Sequence, residues 1–193
     1  MCLELYIEKR FENVTKENIR KEIVEVAETD IVCYKMIDVY GREKGEKVLR
    51  LQTPYQGTRI EMGKTYTAEG IEDLYSEVDD DFMQIQVGSG FIHSFQECED
   101  AMEDVLDYGY GNIVVKCIIP KGTEYIKGMF DSYYGYASKE IVYTNTIVFI
   151  DPKIDDDEYG VYMLEGKAFE MLCEKYNVDG YAKDYYYENT KER

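Results

Sequence analysis

The apolar positions along the chain recur with two periods: about 3.6, as in a helix with one buried face, and 2, as in a strand with one buried face. Leu3, Leu5 and Ile7 alternate weakly and predict an edge strand. Thr15 is placed to cap a helix over 16–27, where Ile19, Ile23, Val24, Val26 and Ala27 recur at near-helical spacing without Gly or Pro. After Asp30, the apolar run at 31–37 reads as a buried strand that includes Cys33 and Lys35. Gly41 and Gly45 punctuate a charged connection to a strand at 48–51, and Pro54, Gly57 and Gly63 predict turns between short strands.

Residues 69–81 predict an acidic loop or short helix, followed by a strand at 82–87 with Met83, Ile85 and Val87 on one face and Phe82, Gln84 and Gln86 on the other. The clearest helix spans 94–108, with Ser94 and Glu97 spaced as a capping box and Gly109 as its stop. Its apolar stripe is Phe95, Cys98, Ala101, Met102, Val105 and Leu106, which leaves Glu97, Glu99, Asp100, Glu103, Asp104 and Asp107 on the wet side. Ile113 to Ile119 is the strongest strand, closed by a Pro120-Lys121-Gly122 turn, and 141–150 is another. Asp155-Asp156-Asp157-Glu158 ends the sheet region; a last helix covers 164–176 and closes near Gly180, and the tail 185–193 is expected to fray.

Helices before, within and after a run of short strands do not make a regular βαβ winding. The predicted fold class is therefore α+β: a mixed or antiparallel, split sheet with packed helices, its core at about 31–150. A length of 193 residues with 45% hydrophobic content fits one domain.

Charge changes the picture more than composition does. Forty Asp and Glu against 22 Lys and Arg give a net charge of −18, so direct binding of nucleic acid, which rests on cations against phosphates, is not expected. From Thr65 to Val115 there is no Lys or Arg, while 13 residues, including Asp79, Asp80 and Asp81 and the six on the helix face, are acidic. Such a helix forgoes the i,i+4 ion pairs that usually relieve its repulsion. Twenty tyrosines without a tryptophan add large contact area with a polar tip, the side chain enriched where proteins meet.

The other candidate chemistry is sparse. Five cysteines stand far apart with one histidine, so no zinc site and no disulfide framework is expected; reduced thiols point to the cytoplasm. His93 lacks an accompanying catalytic motif and reads as structural. Gly88-Ser89-Gly90 and Gly109-Tyr110-Gly111 match no phosphate-loop pattern, and neither aspartate run has the frame of a calcium loop, so no metal is assigned. No apolar run is long enough for a membrane span, and the N-terminal residues lack the pattern of a secretory leader.

Three segments carry a resemblance. Gly90-Phe91-Ile92-His93-Ser94 before a helix, Ile118-Ile119-Pro120-Lys121-Gly122-Thr123, and Tyr136-Ala137-Ser138-Lys139-Glu140 before an apolar strand together resemble the split-sheet core of ADP-ribosyltransferases. That resemblance implies an NAD-using transferase with Glu140 and Ser94 as catalytic residues and Lys35 toward the cofactor, although Ser138 stands where the family carries a second acidic residue. The Met-Cys-Leu start and the segments at 30–35 and 53–55 are also similar to uncharacterised small proteins of gut bacteria and their phages. The charge pattern predicts a different function, without a cofactor: a non-catalytic acidic binding or inhibitor protein that engages a basic, nucleic-acid-binding protein, as a phage or mobile-element anti-defence (anti-CRISPR-like) protein would. Its contact residues would be Glu97, Glu99, Asp100, Glu103, Asp104 and Asp107 with Asp79, Asp80 and Asp81.

Overall fold

The structure is a computed structural model that describes residues 3–8, 15–41, 49–54, 56–69, 74–78, 82–108, 111–130, 132–156, 160–164 and 166–190. The chain opens with β1 (Leu3–Glu8), α1 (Lys16–Ile23), β2 (Glu25–Val26) and β3 (Ile31–Gly41). Strands β4 (Leu49–Gln52), β5 (Arg59–Ile60), β6 (Thr65–Thr67), β7 (Leu74–Val78), β8 (Phe82–Val87) and β9 (Ile92–Phe95) precede α2 (Cys98–Tyr108). Next come β10 (Ile113–Ile119), β11 (Glu124–Phe130), β12 (Tyr133–Ser138) and β13 (Glu140–Ile150). A hairpin of β14 (Lys153–Asp156) and β15 (Gly160–Met163), then α3 (Gly166–Lys175), β16 (Asn177–Val178) and α4 (Gly180–Thr190), complete it. The fold class is α+β, with predominantly antiparallel pairing and a sheet that does not close on itself.

The chain divides into two compact units, one of residues 1–33, 65–97 and 117–142, the other of 34–64, 98–116 and 143–193. In the first, the strand order is β9-β12-β11-β1-β8-β7, every neighbouring pair antiparallel. The registers put Leu3, Met83, Ile85, Val87, Phe95, Ile126, Phe130 and Ala137 on one buried face. The period-2 alternation of β8 is thus used as predicted, and Glu4, Tyr6, Gln84, Gln86, Lys127 and Tyr134 fall on the opposite face. Where Phe130 crosses the sheet, Gly135 leaves room for it: a Cβ there would lie 2.1 Å from Phe130 Cε2.

Several boundaries depart from the predicted ones. β1 is interior rather than an edge, because both of its sides are hydrogen-bonded, to β8 and to β11, which an alternation pattern alone does not reveal. Thr15 does cap α1, its hydroxyl accepting from the Asn18 N–H at 3.3 Å, but the helix stops at Ile23 rather than 27. Beyond it, β2 pairs with β11, the Ala27 N–H donates to Thr123 O at 3.0 Å and Tyr125 donates to Glu25 at 2.6 Å, so long-range bonds replace the next helical turn. Arg20 also pairs with Glu124. The segment 69–81 holds a strand, β7, whose Leu74 is buried opposite Val87; residues 70–73 and 79–81 lie outside the described ones. The hairpin of β11 and β12 was not anticipated; it opens just after Gly122, whose φ of +87° sits in the predicted turn.

In the second unit the order is β16-β13-β10-β3-β4-β5, with β13 and β16 parallel. The β3–β4 connection at 42–48 is outside the described residues, and its two strands pair antiparallel from Gly41 opposite Leu49. Ile113, Val114 and Val115 are buried on both faces, which marks β10 as a central strand. Asn112 ties the strands beside it: its N–H donates to Ile37 O at 3.1 Å, its Oδ1 accepts from Val39 N–H at 2.7 Å and its carbonyl accepts from Asp151 N–H at 2.9 Å. Asp155 and Asp156 lie within β14 instead of ending the sheet. Gly180 does not close a helix; it opens α4, where Asp179 Oδ1 accepts from the Tyr181 N–H at 2.9 Å. The tail is consequently helical to Thr190 and not frayed from 185, since Tyr186 is buried. Among the described residues, no helix is long and apolar enough to cross a membrane.

Candidate functional site

The predicted acidic helix exists as α2, but it begins at Cys98, four residues later than the sequence implied. Ser94 is not its cap. Residues 92–95 are hydrogen-bonded to β12, with Ser94 opposite Tyr136, and the Gln96 N–H extends that ladder to Tyr134 O at 2.9 Å. Strand pairing therefore claims the residues that a capping box would have used.

At about 100° per residue, Cys98, Ala101, Asp104 and Val105 share one side of α2. Ala101, Asp104 and Val105 are buried and Cys98 half-buried, so Asp104 is removed from the acidic surface to which the sequence assigned it. Leu106 moves the other way and is 46% exposed. The true wet face is Glu99, Glu103 and Asp107 in an i, i+4, i+8 ladder beside Leu106, with Asp100 half-buried at its margin. Glu97 is exposed just ahead of the helix, at the end of the first unit. Asp79, Asp80 and Asp81 lie outside the described residues.

The ladder is electrostatically unfavourable within its own helix. Glu99–Glu103 and Glu103–Asp107 are like-charge pairs at i,i+4, each costing about 0.2–0.5 kcal/mol. Asp107 sits in the last turn, where the helix dipole already presents negative charge and where there is no basic residue to answer it. The local field is felt by Cys98, whose thiol pKa is pushed up to about 11, first by burial and then by Glu99 and Asp179.

The residues implied by the transferase resemblance are placed differently. Ser94 is 2% exposed, and its Oγ has no hydrogen-bond partner among the described residues. Glu140 is half-buried at the start of β13, opposite Thr67 of β6. Both belong to the first unit, whereas Lys35 is a half-buried β3 residue of the second. His93 turns toward Phe130, ring centroids 5.7 Å apart, in keeping with a packing role. Lys139, next to Glu140, is held by the Gly90 carbonyl at 2.6 Å and lies over the Phe91 ring.

No protein-family model, curated protein or solved structure matches the chain. The likeness to ADP-ribosyltransferases accordingly rests on its three sequence segments.

Proposed function

We propose that the chain is a non-catalytic binding protein that uses the exposed ridge of α2 to engage a basic, nucleic-acid-binding protein, occupying the surface on which that partner receives phosphates. The observation that carries this reading is the ladder of Glu99, Glu103 and Asp107 on a rigid helix without a compensating cation on the same helix. A face that only keeps a protein soluble gains nothing from two uncompensated like-charge pairs and an acid at the wrong end of the dipole. A partner's Lys and Arg side chains would relieve all three at once, and Leu106 in their midst supplies an apolar contact that a purely solvated face lacks. Inhibition of a host defence nuclease by a phage or mobile-element protein is the instance that fits this chemistry, and the cytoplasm is where such an encounter takes place.

The test is a comparison of captured partners. Wild-type protein and a Glu99→Lys/Glu103→Lys variant are immobilised and exposed to the same cell extract. The reading predicts that a basic nucleic-acid-binding protein is retained by the wild type, is released by salt and is missing from the variant. Equal retention by a variant that still melts cooperatively removes α2 from the interface.

A further inference from the structure

The polar face of the first unit's sheet carries an ordered row of polar and aromatic side chains. Successive registers align one row of side chains across neighbouring strands: Tyr75 opposite Gln86, Gln86 opposite Glu4, Glu4 opposite Met129 and Met129 opposite Tyr134. Four strand steps of about 4.8 Å separate the two tyrosines by about 19 Å. At the Tyr134 end of that row, over β1, β11 and β12, lies a groove of about 550 Å³ whose lining includes Glu4, Tyr6, Gln96, Lys127, Met129 and Tyr134, a size ordinary for a small-ligand site.

We infer that this groove is a binding site for an uncharged oligosaccharide. Charge gives the first argument. On a chain of net charge −18, the groove holds one carboxylate, Glu4, and one ammonium, Lys127, so it selects neither anions nor cations. A nucleic-acid strand would meet the repulsion of the whole chain without a basic track to offset it. An arginine-rich peptide would meet Lys127.

Hydrogen-bonding capacity gives the second. Glu4 is held by two amides of the neighbouring β8, its Oε2 accepting from Gln84 Nε2 at 3.1 Å and its Oε1 from Gln86 Nε2 at 3.0 Å. Each of those amides retains a second N–H and a carbonyl oxygen, and Gln96 brings another amide at the far side. Hydroxyl groups donate and accept at the same atom, and a held lattice of amides and carboxylate serves both roles without rearrangement.

Aromatic platforms give the third. Tyr6 is 62% exposed and Tyr134 is 60% exposed, an unusual outlay of ring surface beside a polar lattice. The C–H faces of a pyranose ring stack on such rings while its hydroxyls reach the flanking amides. The row is long enough for a few sugar units. This inference stands apart from the reading of α2 and survives its failure.

The experiment is a titration of ¹⁵N-labelled protein with four neutral hexasaccharides: cellohexaose, maltohexaose, xylohexaose and laminarihexaose. At least one is expected to shift the amides of β1, β11 and β12 at millimolar concentration or below, equally at low and at physiological salt. Tyr134→Ala and, as an independent variant, Tyr6→Ala should each weaken that binding about tenfold, with the melting transition kept. The proposal is overturned if none of the four shifts those amides, or if the shifts persist undiminished in both tyrosine variants. It is equally overturned if an arginine-rich peptide shifts them in a salt-sensitive way while the sugars do not.

Discussion

Tyr186 lies flat on Phe169, the rings parallel to within 1° and their centroids 3.7 Å apart, and its hydroxyl donates to the Leu164 carbonyl at 2.8 Å. One residue thereby ties α4 to α3 and to the residue that follows β15. Tyr186→Ala removes a buried aromatic ring and should cost about 3–5 kcal/mol in urea unfolding. Tyr186→Phe keeps the stack and loses only the hydroxyl's bond, so a cost of about 1–3 kcal/mol is expected from the carbonyl left unpaired. Equal losses for the two variants would show that the stacked ring is not what pins the helix.

Gly135 tests the packing of the first unit. A methyl group there would stand 2.1 Å from Phe130 Cε2 and 2.8 Å from the Ser94 carbonyl oxygen, and the latter is backbone that cannot swing aside. Gly135→Ala should therefore cost at least about 1–3 kcal/mol, the usual range for overfilling a packed interior. A variant as stable as the wild type would mean that Phe130 does not occupy that space.

Ser94 offers an opposite sign. Its hydroxyl is buried and unpaired among the described residues, so Ser94→Ala removes a desolvated polar group without removing a bond. Stability should hold or rise by about 1 kcal/mol. A loss larger than that would reveal a hydrogen bond carried by this hydroxyl.

Much of the fold was legible where burial writes a period into the chain. The alternation of Met83, Ile85 and Val87 and the run from Ile113 to Ile119 located β8 and β10, because one or both faces of those strands are apolar. The hairpin of β11 and β12 was hidden because Gly128 and Gly135 interrupt its pattern where backbone and Phe130 need room, and a glycine has no hydropathy to report that. On α2, Asp104 and Leu106 exchanged places, since an inward aspartate beside an outward leucine reverses what hydropathy assigns. The row from Tyr75 to Tyr134 joins one residue from each of five strands, and only strand register brings them together. The charge ladder, by contrast, is local, and Glu99, Glu103 and Asp107 were visible from their spacing alone.

Asp151 sets a pH dependence. Burial raises its pKa, and the N–H of Lys153, donating at 3.0 Å, and the charge of Lys153 oppose that only in part. A carboxyl whose folded pKa lies above its unfolded value binds its proton more readily in the folded state. Its contribution to stability is then greatest at low pH and declines as pH rises from the ordinary aspartate value through the raised one. Asp151→Asn retains an oxygen for the Lys153 N–H and carries no charge. The variant should be more stable than the wild type at neutral pH, and the difference should shrink as the solution is acidified toward the ordinary aspartate range. Thermal unfolding across that interval measures it, and a difference that grows on acidification would reverse the assignment.

The ridge of α2 makes a kinetic prediction about the partner it captures. Glu99, Glu103 and Asp107 are exposed, so their attraction for a basic surface acts through solvent and over distance. The Debye length shrinks from about 30 Å at 0.01 M to about 8 Å at 0.15 M salt, and the association rate should fall steeply over that interval while dissociation changes less. If Leu106 and neighbouring desolvated contacts supplied most of the binding energy, affinity would instead survive the added salt. Stopped-flow mixing at the two salt concentrations separates these cases. An association rate that stays flat would show that the ladder is a solvated face, and the proposed use of α2 would be wrong.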